Sequence, residues 1–173
     1  MPEPHAEPVA PEEALRALVA EGGTGALLGD RDPVELVGAA AAAAGRAFEH
    51  VDARGLRTDS FDAAVRGRHL GGVWEDGALT RTLLCGGVFL LAHGEALLDD
   101  LRQRTLRMLA TRRVTLTGPD PASDRTVEAA PGSALLLHVD DHVPLLLQVM
   151  VGVRRLPTVI RADIDGPPPL ARR

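Results

Sequence analysis

An α/β domain built on a parallel sheet is the fold class that this sequence predicts. Three observations carry it. Short apolar runs at 26–28, 48–51, 88–91, 134–139 and 158–164 alternate with helical stretches along the chain. The longest helical stretch, 95–111, has one apolar face and an opposite face of Asp and Arg. A single unmistakable turn signal, GPDPASD at 118–124, separates two strand-like segments and so marks an inserted β-hairpin.

The elements follow in order. Residues 1–11 carry four prolines and no apolar periodicity, so they read as a flexible tail. In 12–20, Ala14, Leu15, Leu18 and Val19 recur at helical spacing. Gly22, Gly23 and Gly25 break that helix, and 26–28 follows as a short apolar strand. Asp32 suits a helix cap and Pro33 the first turn after it. That second helix should run to about Gly45, its six alanines packing close to a sheet. After the strand at 48–51, residues 53–72 are polar with scattered glycines and read as a loop, with one helical turn near 61–65. A short helix at 78–84 ends at Gly86-Gly87, and 88–91 is a buried strand. In 95–111, Leu97, Leu98, Leu101, Thr105, Met108 and Leu109 line the apolar face. The hairpin strands are 114–116 and 125–128; strands at 134–139 and 158–164 follow, then a second tail from 167. Cys85, at a helix end, is expected to be packed, and Trp74 to pack within its own domain.

A chain of 173 residues suits one domain with a sizeable core, here placed at 12–166. The net charge of −5 argues against non-specific binding to nucleic acid or to an anionic membrane. No apolar run approaches the roughly 20 residues of a membrane span. The N-terminus has no signal-peptide pattern. The single cysteine cannot form an internal disulfide, and a cytoplasmic location is expected. All 19 basic residues are arginine, so any mechanism that needs a lysine is excluded.

The block 74–137, "WEDGALTRTLLCGGVFLLAHGEALLDDLRQRTLRMLATRRVTLTG…RTVEAAPGSALLL", resembles the MoxR-like and dynein-related AAA+ ATPases. In that family a G-L-x-x-A-L-x-x-G-G helix precedes the Walker B strand, matched here by 77–87. A long helix ending L-L-x-x-R-x-V-T-L-x-G follows, matched by 106–118, and then P-G before the next strand, matched by Pro131-Gly132. The likeness extends more faintly over 24–166. It implies a three-layer P-loop NTPase-like core with the strand at 26–28 central, beside 134–139 and 158–164, and with 88–91 also neighbouring 134–139.

The departures from the family lie where its chemistry lies. Walker A reads G-x-x-x-x-G-K-[ST], and its amides, lysine and hydroxyl hold phosphates and magnesium. The matching stretch here is 29–36: Gly29 remains, but Val34, Glu35 and Leu36 stand at the second glycine, the lysine and the hydroxyl residue. Asp30, Asp32 and Glu35 would face a triphosphate. A like-charge contact at 4 Å costs about 1 kcal/mol in water and roughly 4 near a protein surface. The family's Walker B strand ends Asp-Glu; here those positions are Ala92 and His93. The family's helical lid is expected to be missing after the fifth strand. Arg154 and Arg155 match the region of the arginine finger, which in such rings completes a neighbour's site.

The resemblance and its losses together imply a pseudo-ATPase: a binding, regulatory or adaptor subunit that takes neither ATP nor magnesium. Its partner would be a protein, for which an active AAA+ protein is a candidate, met at the hairpin or near Trp74. One alternative is residual ATP binding beside an active MoxR-like partner. Another is a divalent metal held at the old pocket edge by His93, His138 and Asp140, since imidazole with carboxylate suits such ions. His138 and His142 also share an H-x-x-x-H spacing, although Pro144 argues against a helix there.

Overall fold

A computed structural model describes residues 9–118, 124–141, 152–153 and 156–164. Five parallel strands form the central sheet: β1 (Thr24–Leu28), β2 (Phe48–Asp52), β5 (Val88–Ala92), β8 (Ala134–Val139) and β9 (Thr158–Arg161). Their spatial order is β2-β5-β8-β1-β9. β8 pairs in parallel with both β1 and β5, so β1 lies between β8 and β9 as the resemblance implies.

Every residue of β1, β5 and β8 is buried. The period of two then sorts their side chains into two cores. Ala26, Leu28, Phe89, Leu91, Leu135 and Leu137 face one way. They pack on α3 (Thr58–Val65), α4 (Ala78–Cys85) and α5 (Asp99–Thr111). Leu27, Val88, Leu90, Ala92 and Leu136 face the other way, onto α1 (Pro11–Glu21) and α2 (Pro33–Ala43). Two helical layers thus enclose one sheet, and the carboxyl ends of all five strands open on one edge.

Two hairpins stand outside this sheet. The expected one pairs β6 (Arg113–Leu116) with β7 (Arg125–Glu128) in antiparallel fashion. Its Val114, Leu116 and Val127 pack into the core; the tip, 119–123, lies outside the described residues. The other joins β3 (Gly67–Leu70) to β4 (Val73–Asp76), starting within the stretch 53–72 expected to be a loop. Gly71 and Gly72 both adopt positive φ, 56° and 85°, which the tightest two-residue hairpin turns require. Most of its side chains are exposed, so hydrophobic alternation could not announce it. Trp74 closes it inward, packing on the core, meeting His69 edge-on at 5.0 Å and donating Nε1–H to Asp76 at 2.7 Å.

Three local expectations are corrected. The long helix begins at Asp99, preceded by a 3-10 turn at Gly94–Ala96, and Leu98 is exposed while Leu106 is buried. Cys85 is exposed, because the helix that carries it ends there and turns it outward. Of the six alanines only Ala40 and Ala41 are packed; one helix face can touch a neighbour, and the others look outward.

Candidate functional site

In open α/β sheets, ligands bind outside the carboxyl ends of the strands. In this chain that edge is built by the β1–α2 loop, the β5 exit and the end of β8.

The β1–α2 loop is only four residues long, 29–32, before α2 begins at Pro33. Its amides turn inward. Gly29 N–H donates to Val139 O at 3.2 Å, and Arg31 N–H to Ala162 O at 3.2 Å. Asp32 caps α2, its Oδ1 accepting from Val34 N–H at 2.9 Å and Glu35 N–H at 3.1 Å. Leu36 N–H donates to Asp32 O at 3.2 Å. Pro33 has no N–H to offer. The first turn of α2, where a phosphate would sit, already holds a carboxylate.

The side chains are equally committed. Asp30 Oδ1 accepts from Ile164 N–H at 2.7 Å. Arg31, the one cation in the loop, pairs with Glu12 of α1 at 2.5 Å and holds that carboxyl below its ordinary range. Glu35 is exposed, and Leu36, where a hydroxyl would meet magnesium, is buried in the core. Gly29 survives for a packing reason: at φ 122° a Cβ there would lie 2.3 Å from Ala162 O. A triphosphate with magnesium does not fit this loop, since the amides of Gly29, Arg31, Val34, Glu35 and Leu36 already donate within the protein and its one cation is paired.

The β5 exit is shaped by histidine. Ala92 is fully buried, its carbonyl accepting from Ala53 N–H at 2.9 Å. His93 adopts the left-handed region, φ 58° and ψ 47°, a strained conformation for such a side chain. That turn lets His93 N–H donate to His138 Nδ1 at 3.2 Å. His138 Nε2 lies 2.9 Å from Gly29 O. With Nδ1 accepting, the proton must sit on Nε2 and point at that carbonyl. One neutral imidazole therefore ties together the ends of β8, β1 and β5. Burial pushes its pKa below the ordinary 6.5, and the nearby His93 pushes the same way, against the Gly29 carbonyl and Glu95.

The His93 and His138 rings meet edge-on with centroids 5.0 Å apart. Beside them lies Glu95, which the sequence reading missed: one oxygen is 3.1 Å from His93 Nδ1 and the other accepts from Asp140 N–H at 3.1 Å. Asp140 contributes that amide; the donor atoms that converge within 4.8 Å belong to His93, Glu95 and His138. The signal was Glu95 two residues after His93, on a 3-10 turn that folds it back. A metal fits this triad only in part, because both His138 nitrogens already bond the protein. Binding there would break the tie to Gly29 or to His93. Next to them, on β2, Asp52 is clamped by Arg54 at 2.5–3.1 Å, which holds its carboxyl low. Arg154, Arg155 and His142 lie outside the described residues.

Several solved structures share this architecture. NtrX from Brucella abortus in complex with ADP aligns with a TM-score of 0.61 at 13% identity, over 90% of this chain and 36% of that one. The ATP complex of NtrX gives 0.58 at 13%, over 94% and 39%. A Cytophaga hutchinsonii protein assigned provisionally as an ATPase gives 0.59 at 13%, over 87% and 44%. The chain thus spans less than half the length of these proteins. No protein-family model and no curated protein matches it. At such identities the likeness concerns the fold, which is that of the AAA+ ATPase-like P-loop NTPases.

Proposed function

We propose that this chain is a catalytically silent AAA+-like core, a pseudo-ATPase that acts by binding a protein partner as a regulatory or adaptor subunit. The observation that carries the reading is the β1–α2 loop. Its amides at Gly29, Arg31, Val34, Glu35 and Leu36 donate within the protein, and Asp32 occupies the anion position at the head of α2. Loss of the Walker B acids at Ala92 and His93 supports the same reading. At position 92 a fully buried methyl stands where an aspartate would hold magnesium. Partner contact falls most naturally to the two hairpins, which lie outside the central sheet; an active AAA+ protein is a candidate partner.

The test is phosphate release from ATP with magnesium by the full chain, alongside calorimetry. Turnover at the background rate is expected. Hydrolysis above background, or low-micromolar ATP held by the β1–α2 loop, would sink the reading.

A second reading rests on the convergence of His93, Glu95 and His138. A divalent ion held there would take imidazole and carboxylate ligands. Elemental analysis of protein purified without chelator decides it: a stoichiometric metal that His93→Ala removes supports it, and its absence ends it.

A further inference from the structure

An acidic chain here gathers arginines around one hollow. The hollow lies between the end of α3, the outer face of α5 and the β6–β7 hairpin, and encloses about 470 Å³. That falls within the ~300–1,000 Å³ of small-molecule sites. Arg66, Arg104, Arg107 and Arg113 line it. Thr111, Thr115 and Thr126 add hydroxyls, and no carboxylate is among its lining residues.

The arginines are only half neutralised. Asp62 serves two of them, 2.8 Å from Arg104 and 3.9 Å from Arg66. Glu128 pairs with Arg113 at 2.9 Å. Among the described residues no carboxylate pairs with Arg107. Four cations against two carboxylates leave two positive charges, on a chain whose net charge is −5. One donor inside the cluster, the Arg66 Nε that lies 3.9 Å from Asp62, is buried with no hydrogen-bond acceptor among the described residues. Such orphans are rare in folded proteins. Opposing this, the C-terminal half of α5 presents the negative end of its dipole, equivalent to about half a charge. Two positive charges outweigh it. No lining residue belongs to the β1–α2 loop or to the His93–His138 edge, so the hollow is separate from the site described above.

We propose that this pocket binds a small diphosphate-type anion, either free or as the tail of a nucleotide. Planar guanidinium groups present paired N–H donors that match phosphoryl oxygens two at a time. The hydroxyls of Thr115 and Thr126, 3.5 Å apart on facing strands, can donate to the remaining oxygens. Four arginines converging on one volume suit two linked phosphoryl groups better than one carboxylate.

Calorimetry on the full chain with inorganic pyrophosphate tests this. Saturable binding is expected, weakening as salt rises from about 50 to about 200 mM. Arg107→Ala and Arg113→Ala should each lower the affinity roughly tenfold, as loss of a charge-assisted hydrogen bond does. Both side chains are exposed, so thermal melts should match the parent. Arg54→Ala, outside the pocket, should leave the affinity unchanged. Equal affinity for pyrophosphate and ADP would support the proposal with the free anion as ligand; tighter ADP would support it with the nucleotide. Absence of saturable binding overturns it. So does binding that ignores Arg107→Ala and Arg113→Ala, or that Arg54→Ala weakens as much, or adenosine binding as well as ADP. ATP affinity that Arg107→Ala abolishes belongs to this pocket and does not count against a silent β1–α2 loop.

Discussion

His138 shows how much a single buried side chain can settle. Its ring accepts from His93 N–H and donates to Gly29 O, so removing it orphans two backbone groups at the sheet edge. Each orphan costs about 1–3 kcal/mol. His138→Ala should therefore lower stability by roughly 2–6 kcal/mol, measured by denaturant titration. The pH dependence has a definite sign. Burial lowers the folded-state pKa below 6.5, so the folded protein favours the neutral ring. The stability this contributes is full above about pH 6.5 and is lost as pH falls through the folded-state pKa. Titrations at pH 7.5 and 5.5 should show that loss in the parent and less of it in His138→Ala. Equal loss in both would refute the assignment. The same scale explains why restoring the motif letters will not restore the site. Val34→Gly, Glu35→Lys and Leu36→Thr together should still fail to bind ATP with magnesium. Asp32 keeps its cap, and a hydroxyl at position 36 replaces a buried apolar side chain. Micromolar binding by that triple variant would show the loop to be more adaptable than its hydrogen bonds indicate.

Among the elements, α2 is the one whose start decides function. Its N-terminus is closed by Asp32, and a cap of this kind contributes about 0.5–2 kcal/mol. Asp32→Ala should lower the melting temperature by roughly 2–4 °C, the scale expected for about 1 kcal/mol in a domain of this size. An unchanged melt would mean that tertiary packing of Leu36, Val37, Ala40 and Ala41 fixes the helix start unaided. The β3–β4 hairpin gives the opposite lesson. Its turn needs positive φ at both Gly71 and Gly72, yet its strands are exposed and bury little. Gly71→Val should strain that turn by about 1–2 kcal/mol. Trp74 fluorescence should change while cooperative unfolding of the sheet persists.

At the scale of the whole molecule, stability should follow depth in the sheet. β1, β5 and β8 are buried on both faces and flanked by other strands, whereas β2 and β9 are edges. Amides in the three central strands should exchange slowest, near the rate of global unfolding, and those of β9 and both hairpins faster. If β9 exchanged as slowly as β8, something beyond the described residues would have to cover that edge. No helix among those residues is long and apolar enough to cross a membrane.

Much of this was legible in the chain. Continuous apolar runs such as Val88–Ala92 and Ala134–Val139 mark strands buried on both faces, because each follows a glycine-containing turn and is too short for a buried helix. The cap at Asp32 with Pro33, and the turn at 118–124, are local chemistry and needed no partner to be read. The identities at 34–36, 92 and 93 are likewise plain in the sequence. What the sequence left open is set by distance in the chain. His93 meets His138 45 residues away, Glu95 reaches the Asp140 amide at the same separation, and His138 reaches a carbonyl 109 residues away. The arginine hollow assembles Arg66 with Arg104 and Arg113 from three elements. Local propensity carries no information about such meetings, because they exist only once the sheet has brought its strand ends and helices together.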